Sequence, residues 1–319
     1  GRMLRDDKGR LIGIVEQKDA SAAQLLIHEI NSGFLAAPAG LLRGWLQRLD
    51  NRNAQGEHYL TDVIAMAASD GVEVESVSAS DAHEILGVND RIQLAQLERI
   101  WQRRQAERLM RGGVTLADPA RLEVRGEVSA GRDCSIDINV VLEGKVSLGE
   151  RVSIGPGCVL KNVTVGDDAE LYAHCVIEDS VVGKHCLVGP FARIRPETQL
   201  AEQVRVGNFV EIKKSTIAKG SKINHLSYIG DTHMGSGVNI GAGTIVCNYD
   251  GACKHLTEIG DNVFVGSDTQ LVAPVRVGDG ATIGAGSTIT RDVPENELTL
   301  SRSKQQTITG WTRPSKDKT

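Results

Sequence analysis

Eight histidines and six cysteines are the side chains here best suited to nucleophilic or metal chemistry, and their spacing limits what they can do. His225 and His233 lie close in sequence, but no third histidine follows at a matching repeat spacing. A zinc centre of three histidines, as in a hydratase of the carbonic anhydrase type, is therefore not expected. The cysteines form no C-x-x-C pair. In a chain this long they read as reduced thiols, with neither disulfides nor a zinc cluster. A different kind of candidate is VCNYDGACKHLTE, Val246 to Glu258. It gathers polar and aromatic residues between two regular stretches, and interruptions of a repeat commonly carry function.

The regular stretches supply the scaffold. From Ile136 to Ile289 an aliphatic residue followed by glycine recurs on a six-residue beat, as in Leu148-Gly149, Ile154-Gly155, Val165-Gly166, Val206-Gly207, Ile240-Gly241 and Ile283-Gly284. Three such units make one triangular coil of short parallel strands with the aliphatic residues inward, a parallel β-helix; about 160 residues at about 18 per coil give roughly nine coils. Cys134, Cys158, Cys175 and Cys186 each fall four residues after an inward aliphatic position, where a small buried side chain is wanted. Thirty-five glycines with only 3% aromatic residues suit repeated small units. The net charge of −5 offers no basic field for nucleic acid or an anionic membrane surface. No apolar run approaches the roughly 18 residues of a membrane span, and Gly1-Arg2-Met3 does not open a signal peptide, so a cytoplasmic protein is expected.

Ahead of the repeat, strand-like runs such as Leu11 to Val15 and helix-like ones such as Ala22 to Ile30 read as α/β. Leu94, Leu97, Ile100, Trp101 and Leu109 recur at helical spacing on a charged background and predict a connecting helix. The expected division is 1–88 for part of an α/β domain, 89–113 for a linking helix, and 114–319 for the β-helix with a C-terminal tail. No Gly-rich phosphate loop occurs in the front part, which reads as starting partway through a domain, with Gly1 not its natural start.

Specific strings carry a resemblance along essentially the whole chain: VEQKDA, EINSGF, NAQGEHYLTD and GVNDR in front, then RIRPE, GNFVEIKKS, NHLSYIGD, NIGAGTIVCNYDG and VGSDTQLVAP. The sequence resembles the bifunctional bacterial N-acetylglucosamine-1-phosphate uridyltransferase/glucosamine-1-phosphate acetyltransferases. The resemblance implies a mainly β fold, a left-handed parallel β-helix preceded by a partial nucleotidyltransferase domain. It implies acetyl transfer from acetyl-CoA to glucosamine 1-phosphate, in the route through UDP-N-acetylglucosamine to cell-wall and lipopolysaccharide precursors, with UTP as the second activity's substrate. It also implies a homotrimer whose acetyltransferase site is shared between subunits.

Carried over residue by residue, the resemblance gives His225 as general base, since an amine must lose a proton before attacking a thioester and imidazole titrates near neutral pH. It gives Arg195 and Lys213 to the sugar phosphate, with Tyr228, Asn239 and Lys254 around the sugar; a guanidinium fork beside a compact ammonium suits phosphate oxygens. Lys214, by contrast, reads as a solvated corner. Acetyl-CoA is expected near Asn248, Tyr249, Ala242, Ser267, Ala285 and Arg302. A backbone N–H beside Gly241 to Gly243 is expected to face the tetrahedral oxyanion. In front, Gly1, Glu16 and Asn31 would contact UDP-N-acetylglucosamine and Asn89 would bind Mg²⁺, with an N-cap as the alternative role for Asn89.

The family's glycine-rich nucleotide loop and the aspartate that partners Asn89 have no counterpart, so no uridyl transfer is expected of these 319 residues taken alone, and the front part is expected to expose apolar surface. Cys253 and Glu197 stand where the family usually has asparagine and glycine. Two other functions compete: a β-helix acyltransferase for a different acceptor, and a non-catalytic trimeric scaffold. The scaffold leaves the insert, Arg195, Lys213 and His225 unexplained.

Overall fold

The computed structural model describes residues 1–314; the last five residues of the expected tail lie outside the described residues. The chain forms two compact units, Gly1–Leu97 and the part from Glu98 onward. In the first, strands Arg2–Arg5 and Leu11–Val15 make an antiparallel hairpin. Helices α1 (Ala39–Leu46) and α2 (Asp62–Ser69) complete it, with Leu11, Trp45, Val63, Ile64 and Ala67 as its core. The helix expected over Ala22 to Ile30 is not formed beyond a single 3₁₀ turn, Gln24–Leu26. Met3 N–H donates to Glu29 O and Asn31 N–H to Gly1 O, both at 3.0 Å, so the segment's end is drawn out along the hairpin edge. Tertiary pairing there overrides helical propensity.

Helix α3 (Arg91–Arg111) lies within the span read as a linker. Its N-cap is Asp90, not Asn89: Asp90 Oδ1 accepts from Gln93 N–H at 2.8 Å while Gln93 Oε1 accepts from Asn89 N–H at 2.7 Å. This is a reciprocal cap of the boxed kind. Leu94 and Trp101 remain more than half exposed, whereas Gln102, Ala106 and Leu109 are buried. The helical period was readable. The buried stripe was not, because a glutamine leads it.

The second unit is a parallel β-solenoid with three faces. The first face stacks eleven strands from Thr115–Leu116 to Leu298–Thr299. The second includes Arg193–Ile194, Glu211–Lys213, Tyr228–Gly230, Ile245–Cys247 and Gln270–Val272, and the third includes Thr198–Leu200, Thr216–Ile217, Thr232–Met234, Thr257–Ile259 and Val275–Val277. Eleven stacked strands make about ten turns, against the nine expected, because the end coils at Leu116 and Thr299 lack the aliphatic-glycine beat.

Register stacks like on like. Ile194, Ile212, Ile229, Val246, Leu271 and Ile289 form one inward column at 3% exposure or less. Near-continuous aliphatic ladders of this kind form one unbroken apolar core. Cys134, Cys158, Cys175 and Cys186 are fully buried. Burial pushes the Cys186 thiol up to about 11. In the later coils a corner column turns to hydroxyls, which stay satisfied by the backbone: Ser227 Oγ donates to His225 O, Thr244 Oγ1 to Gly241 O and Thr269 Oγ1 to Gly266 O, at 2.7–2.8 Å.

The exposed edge of the first coil is closed by α3. Gln102 Nε2 donates to Val124 O and Gln102 Oε1 accepts from Val124 N–H, both at 2.8 Å, so one side chain imitates a neighbouring strand.

Candidate functional site

Ile194 pairs with Ile212, and Lys213 pairs with Gly230. Arg195, Lys213 and Gly230 therefore occupy one column on successive coils, roughly 4.8 Å apart. Arg195 Nη1 donates to Glu211 Oε1 at 2.7 Å, a half-exposed charge-assisted bond that raises the guanidinium pKa and aims the fork along the face. Lys254 comes close to Lys213, and the two ammonium groups repel each other. That contact, then burial, push the Lys213 ammonium below the usual lysine range, with Arg195 adding repulsion and Asp231 opposing it. Three cations thus converge, of which only Arg195 is paired, with Glu211, an arrangement suited to receive an anion.

Gly230 keeps the column open. A Cβ there would lie 2.5 Å from Tyr228 Oη and 2.8 Å from Asn248 Nδ2. The Tyr228 hydroxyl and the Asn248 amide therefore both approach the space above Lys213.

The insert brings Lys254 to this place. It leaves the second face after Cys247 and rejoins the third at Thr257. Tyr249 bridges Lys254 in antiparallel fashion, and Tyr249 Oη donates to Gly251 O at 2.6 Å. Asp250 organises the turn: its Oδ1 accepts from the N–H groups of Ala252 and Cys253, and its Oδ2 meets His255 Nε2 at 2.6 Å. His255 first, then these backbone donors, hold the Asp250 carboxyl well below the usual carboxylate range. At position 253 the backbone makes the turn's bond and the thiol is exposed. The substitution of cysteine for the usual asparagine is thus accommodated without disturbing the turn.

His225 belongs to another column, at the corner where the first face ends. Asn208 pairs with it from the coil before, and Asn208 Oδ1 lies 3.1 Å from His225 Nδ1. The register then runs through Ala242, Ser267 and Ala285, linked by Gly243 N–H to His225 O, Asp268 N–H to Ala242 O and Gly286 N–H to Ser267 O. Arg302 Nη1 donates to Ala285 O at 2.6 Å and closes this row. Small side chains leave a shallow track about three coil steps long, roughly 14 Å, beginning at the imidazole. Within the Gly241 to Gly243 run, the N–H groups of Gly241 and Gly243 are spent on Val265 O and His225 O. Among the described residues no backbone acceptor meets the N–H of Ala242.

The structure therefore gathers Arg195, Lys213, Tyr228 and Lys254 about one point, and His225, Ala242, Ser267, Ala285 and Arg302 along one track. Asn239 joins neither. It lies on the first face between Lys222 and Phe264. Asn248 is 6% exposed, its Nδ2 donating to Asp231 Oδ2, so it faces the cation cluster, while Tyr249 is 59% exposed.

Sequence reasoning passed over three residues. Glu211 aims Arg195. Asn208 meets His225. Asp231 is buried with φ 46°, accepts from Asn248, contacts Lys214 at 4.0 Å, and offers its carbonyl to Thr257 N–H, so it holds both ends of the insert. A signal was present, since Asn162 and Asp179 occupy equivalent left-handed corners on earlier coils and Asn and Asp tolerate that conformation better than most residues. Glu197 has φ 65°, which is why glycine is usual there.

In the first unit, Gly1, Glu16 and Asn31 are neighbours: a Cβ on Gly1 would lie 3.1 Å from Glu16 Oε1, and Asn31 N–H donates to Gly1 O. Thr61 Oγ1 donates to Glu16 Oε1 at 2.9 Å. Asn89 presents one exposed amide oxygen, and among the described residues no three His, Cys, Asp or Glu side chains gather to hold a metal. One neutral oxygen does not by itself amount to a Mg²⁺ site.

Comparison with known proteins adds sequence likeness to this geometry. The profile of the GMPPB C-terminal domain matches residues 124–208, and that of the bacterial transferase hexapeptide matches residues 256–291. The bifunctional protein GlmU of Alkalilimnicola ehrlichii is 61% identical over 314 residues, 98% of this chain and 68% of that protein. Among solved structures, the UDP-N-acetylglucosamine acyltransferase of Francisella novicida aligns with TM-score 0.21 and 18% identity over 59% of this chain and 67% of its own. The corresponding acyltransferase of Campylobacter jejuni aligns with TM-score 0.32 and 14% identity over 59% and 70%.

Proposed function

The chain belongs to the family of the bifunctional protein GlmU, and from that membership we propose how its residues divide the work of acetyl transfer. The reaction is transfer of an acetyl group from acetyl-CoA to the amine of glucosamine 1-phosphate, giving N-acetylglucosamine 1-phosphate. The family's second reaction, uridyl transfer from UTP, is proposed for the full-length protein and not for these 319 residues alone, with Gly1, Glu16 and Asn31 as the part of that site that would contact the UDP-sugar. Asn89 is a candidate oxygen ligand for the Mg²⁺ that such chemistry employs, which would neutralise nucleotide phosphates.

The observation that supports the acetyltransferase assignment is that Arg195 and Lys213 stand in one column on successive coils, on the face from which the insert carrying Lys254 departs. They take the acceptor's phosphate, and Tyr228 lies against the sugar. Acetyl-CoA lies along Ala242, Ser267 and Ala285, its phosphates toward Arg302 and its thioester toward His225. His225 removes a proton from the acceptor amine as the nitrogen attacks the thioester carbonyl. A C–N bond forms, the C–S bond breaks as the tetrahedral intermediate collapses, and the proton passes to the departing thiolate. The Ala242 N–H, left without a backbone acceptor, is the donor proposed to face the oxyanion.

Asn239 stands on a different face from Lys213, and a site completed by a second copy would reunite them. Phe191 and Phe209, 50% and 56% exposed, stack at 5.5 Å along the corner that carries Leu226, itself 60% exposed. This apolar ridge is the surface proposed to pack in a homotrimer. No helix among the described residues is long and apolar enough to cross a membrane, and a cytoplasmic location is proposed with the family's substrates in mind.

The test is release of free thiol from acetyl-CoA with glucosamine 1-phosphate or unphosphorylated glucosamine as acceptor. Release that requires the phosphate and disappears in His225→Ala, with assembly unchanged, supports the proposal. An assembled protein inactive with both acceptors contradicts it.

A further inference from the structure

We propose that Asn208 is a positioning residue for acetyl transfer, its side-chain oxygen holding His225 in the tautomer that carries its proton on Nδ1 and leaves Nε2 free to act as base. This deepens the assignment of His225 as general base and rests on it. The two residues are direct partners in parallel register, with Oδ1 and Nδ1 3.1 Å apart.

The neighbourhood fixes both ends of this contact. Leu226 N–H donates to Asn208 O at 3.1 Å, so the backbone on either side of the pair is tied across the coils. Gly207 lies so close over Asn224 O that a Cβ could not be placed there, and the strand before Asn208 presses directly on the strand before His225. On the other side Phe209 is held by its stack on Phe191, at an interplanar angle of 18°. Asn208 therefore has little freedom to move away from the imidazole.

The chemistry requires one ring nitrogen to accept the amine's proton, and Nδ1 is already committed to Asn208. A neutral imidazole bound through Nδ1–H to a carbonyl-type acceptor presents an unprotonated Nε2. If the amide were turned to donate instead, Nε2 would carry the proton and no base would be available. A neutral acceptor also orients the ring without stabilising the imidazolium as a carboxylate would, which suits a base that must give its proton back to the thiolate.

Two variants and two readouts test this. Asn208→Leu removes the acceptor at similar size; kcat is expected to fall about 10- to 100-fold, with KM for acetyl-CoA within about twofold. Asn208→Asp keeps an acceptor that cannot donate; it is expected to recover most of that loss while moving the acidic limb of kcat/KM to higher pH, since the carboxylate favours the charged ring. NMR of nitrogen-15-labelled histidine in the assembled protein reads the tautomer without reference to turnover: Nδ1–H in the wild type, mixed in Asn208→Leu. Wild-type kcat and pH profile in Asn208→Leu would overturn the proposal, as would equal losses in both variants with an unmoved acidic limb, or an Nε2–H tautomer in the wild type. If the wild type releases no thiol, the functional assignment fails, and the tautomer measurement still decides the role of Asn208.

Discussion

Asp231 and Asn248 meet in a 2.5 Å bond, the amide Nδ2 donating to Oδ2, although one closes a regular coil and the other opens the insert. Both are buried, and Thr257 N–H returns to the Asp231 carbonyl at the insert's far end. One residue thus anchors a loop whose only lysine is carried to Lys213. Asn248→Ala is expected to raise KM for glucosamine 1-phosphate about tenfold while changing KM for acetyl-CoA little. The cost in stability is about 1–3 kcal/mol, because a buried carboxylate oxygen loses its donor. Steady-state kinetics with each substrate varied, and faster proteolytic cleavage within 249–256, check it.

The neighbouring Lys254 ammonium, then burial, push the Lys213 ammonium below the usual lysine range. A phosphate needs the ammonium form, so acceptor affinity is lost as pH rises through that lowered value. Lys254→Met removes the main cause and returns Lys213 toward its ordinary range. The expected result is weaker acceptor binding at neutral pH, with the alkaline fall in 1/KM displaced to higher pH. A limb displaced to lower pH, or unmoved, contradicts the assignment of Lys213 to the phosphate.

Gln102 satisfies both backbone groups of Val124 at the open end of the solenoid. Gln102→Leu fills similar space but leaves a buried N–H and C=O unpaired, a loss of about 2–4 kcal/mol. Urea denaturation followed by circular dichroism is expected to show a lower midpoint with little change in slope. A Gln102→Glu variant is expected to fare little better, since a carboxylate can accept from Val124 N–H but cannot donate to its carbonyl.

Four cysteines are fully buried, Cys247 is half-buried and Cys253 is exposed. An aromatic disulfide reagent is expected to titrate Cys253 rapidly and Cys247 slowly in the native protein, and the remaining four only after unfolding. Rapid reaction of Cys186, whose thiol burial pushes up to about 11, would show that the core is open.

The sequence by itself determined the solenoid. An inward aliphatic residue every sixth position, with glycine after it, has few other ways to bury its apolar face, and stacking makes each coil the template for the next. The residues proposed as general base and phosphate ligands were named from the sequence too, because long strings around Arg195, Lys213 and His225 carry the resemblance. Tertiary structure decided the rest. Residues 16 or 17 apart become neighbours only when the coils stack, so the partners of the functional residues, Asn208 to His225, Glu211 to Arg195 and Asp231 to Asn248, are set by register. The cap on the first coil likewise depends on a glutamine whose value lies in two backbone groups 22 residues away. A side chain that owes its role to what packs against it leaves no periodic mark in the sequence, because hydrogen-bonding geometry, unlike apolar burial, repeats with no fixed period.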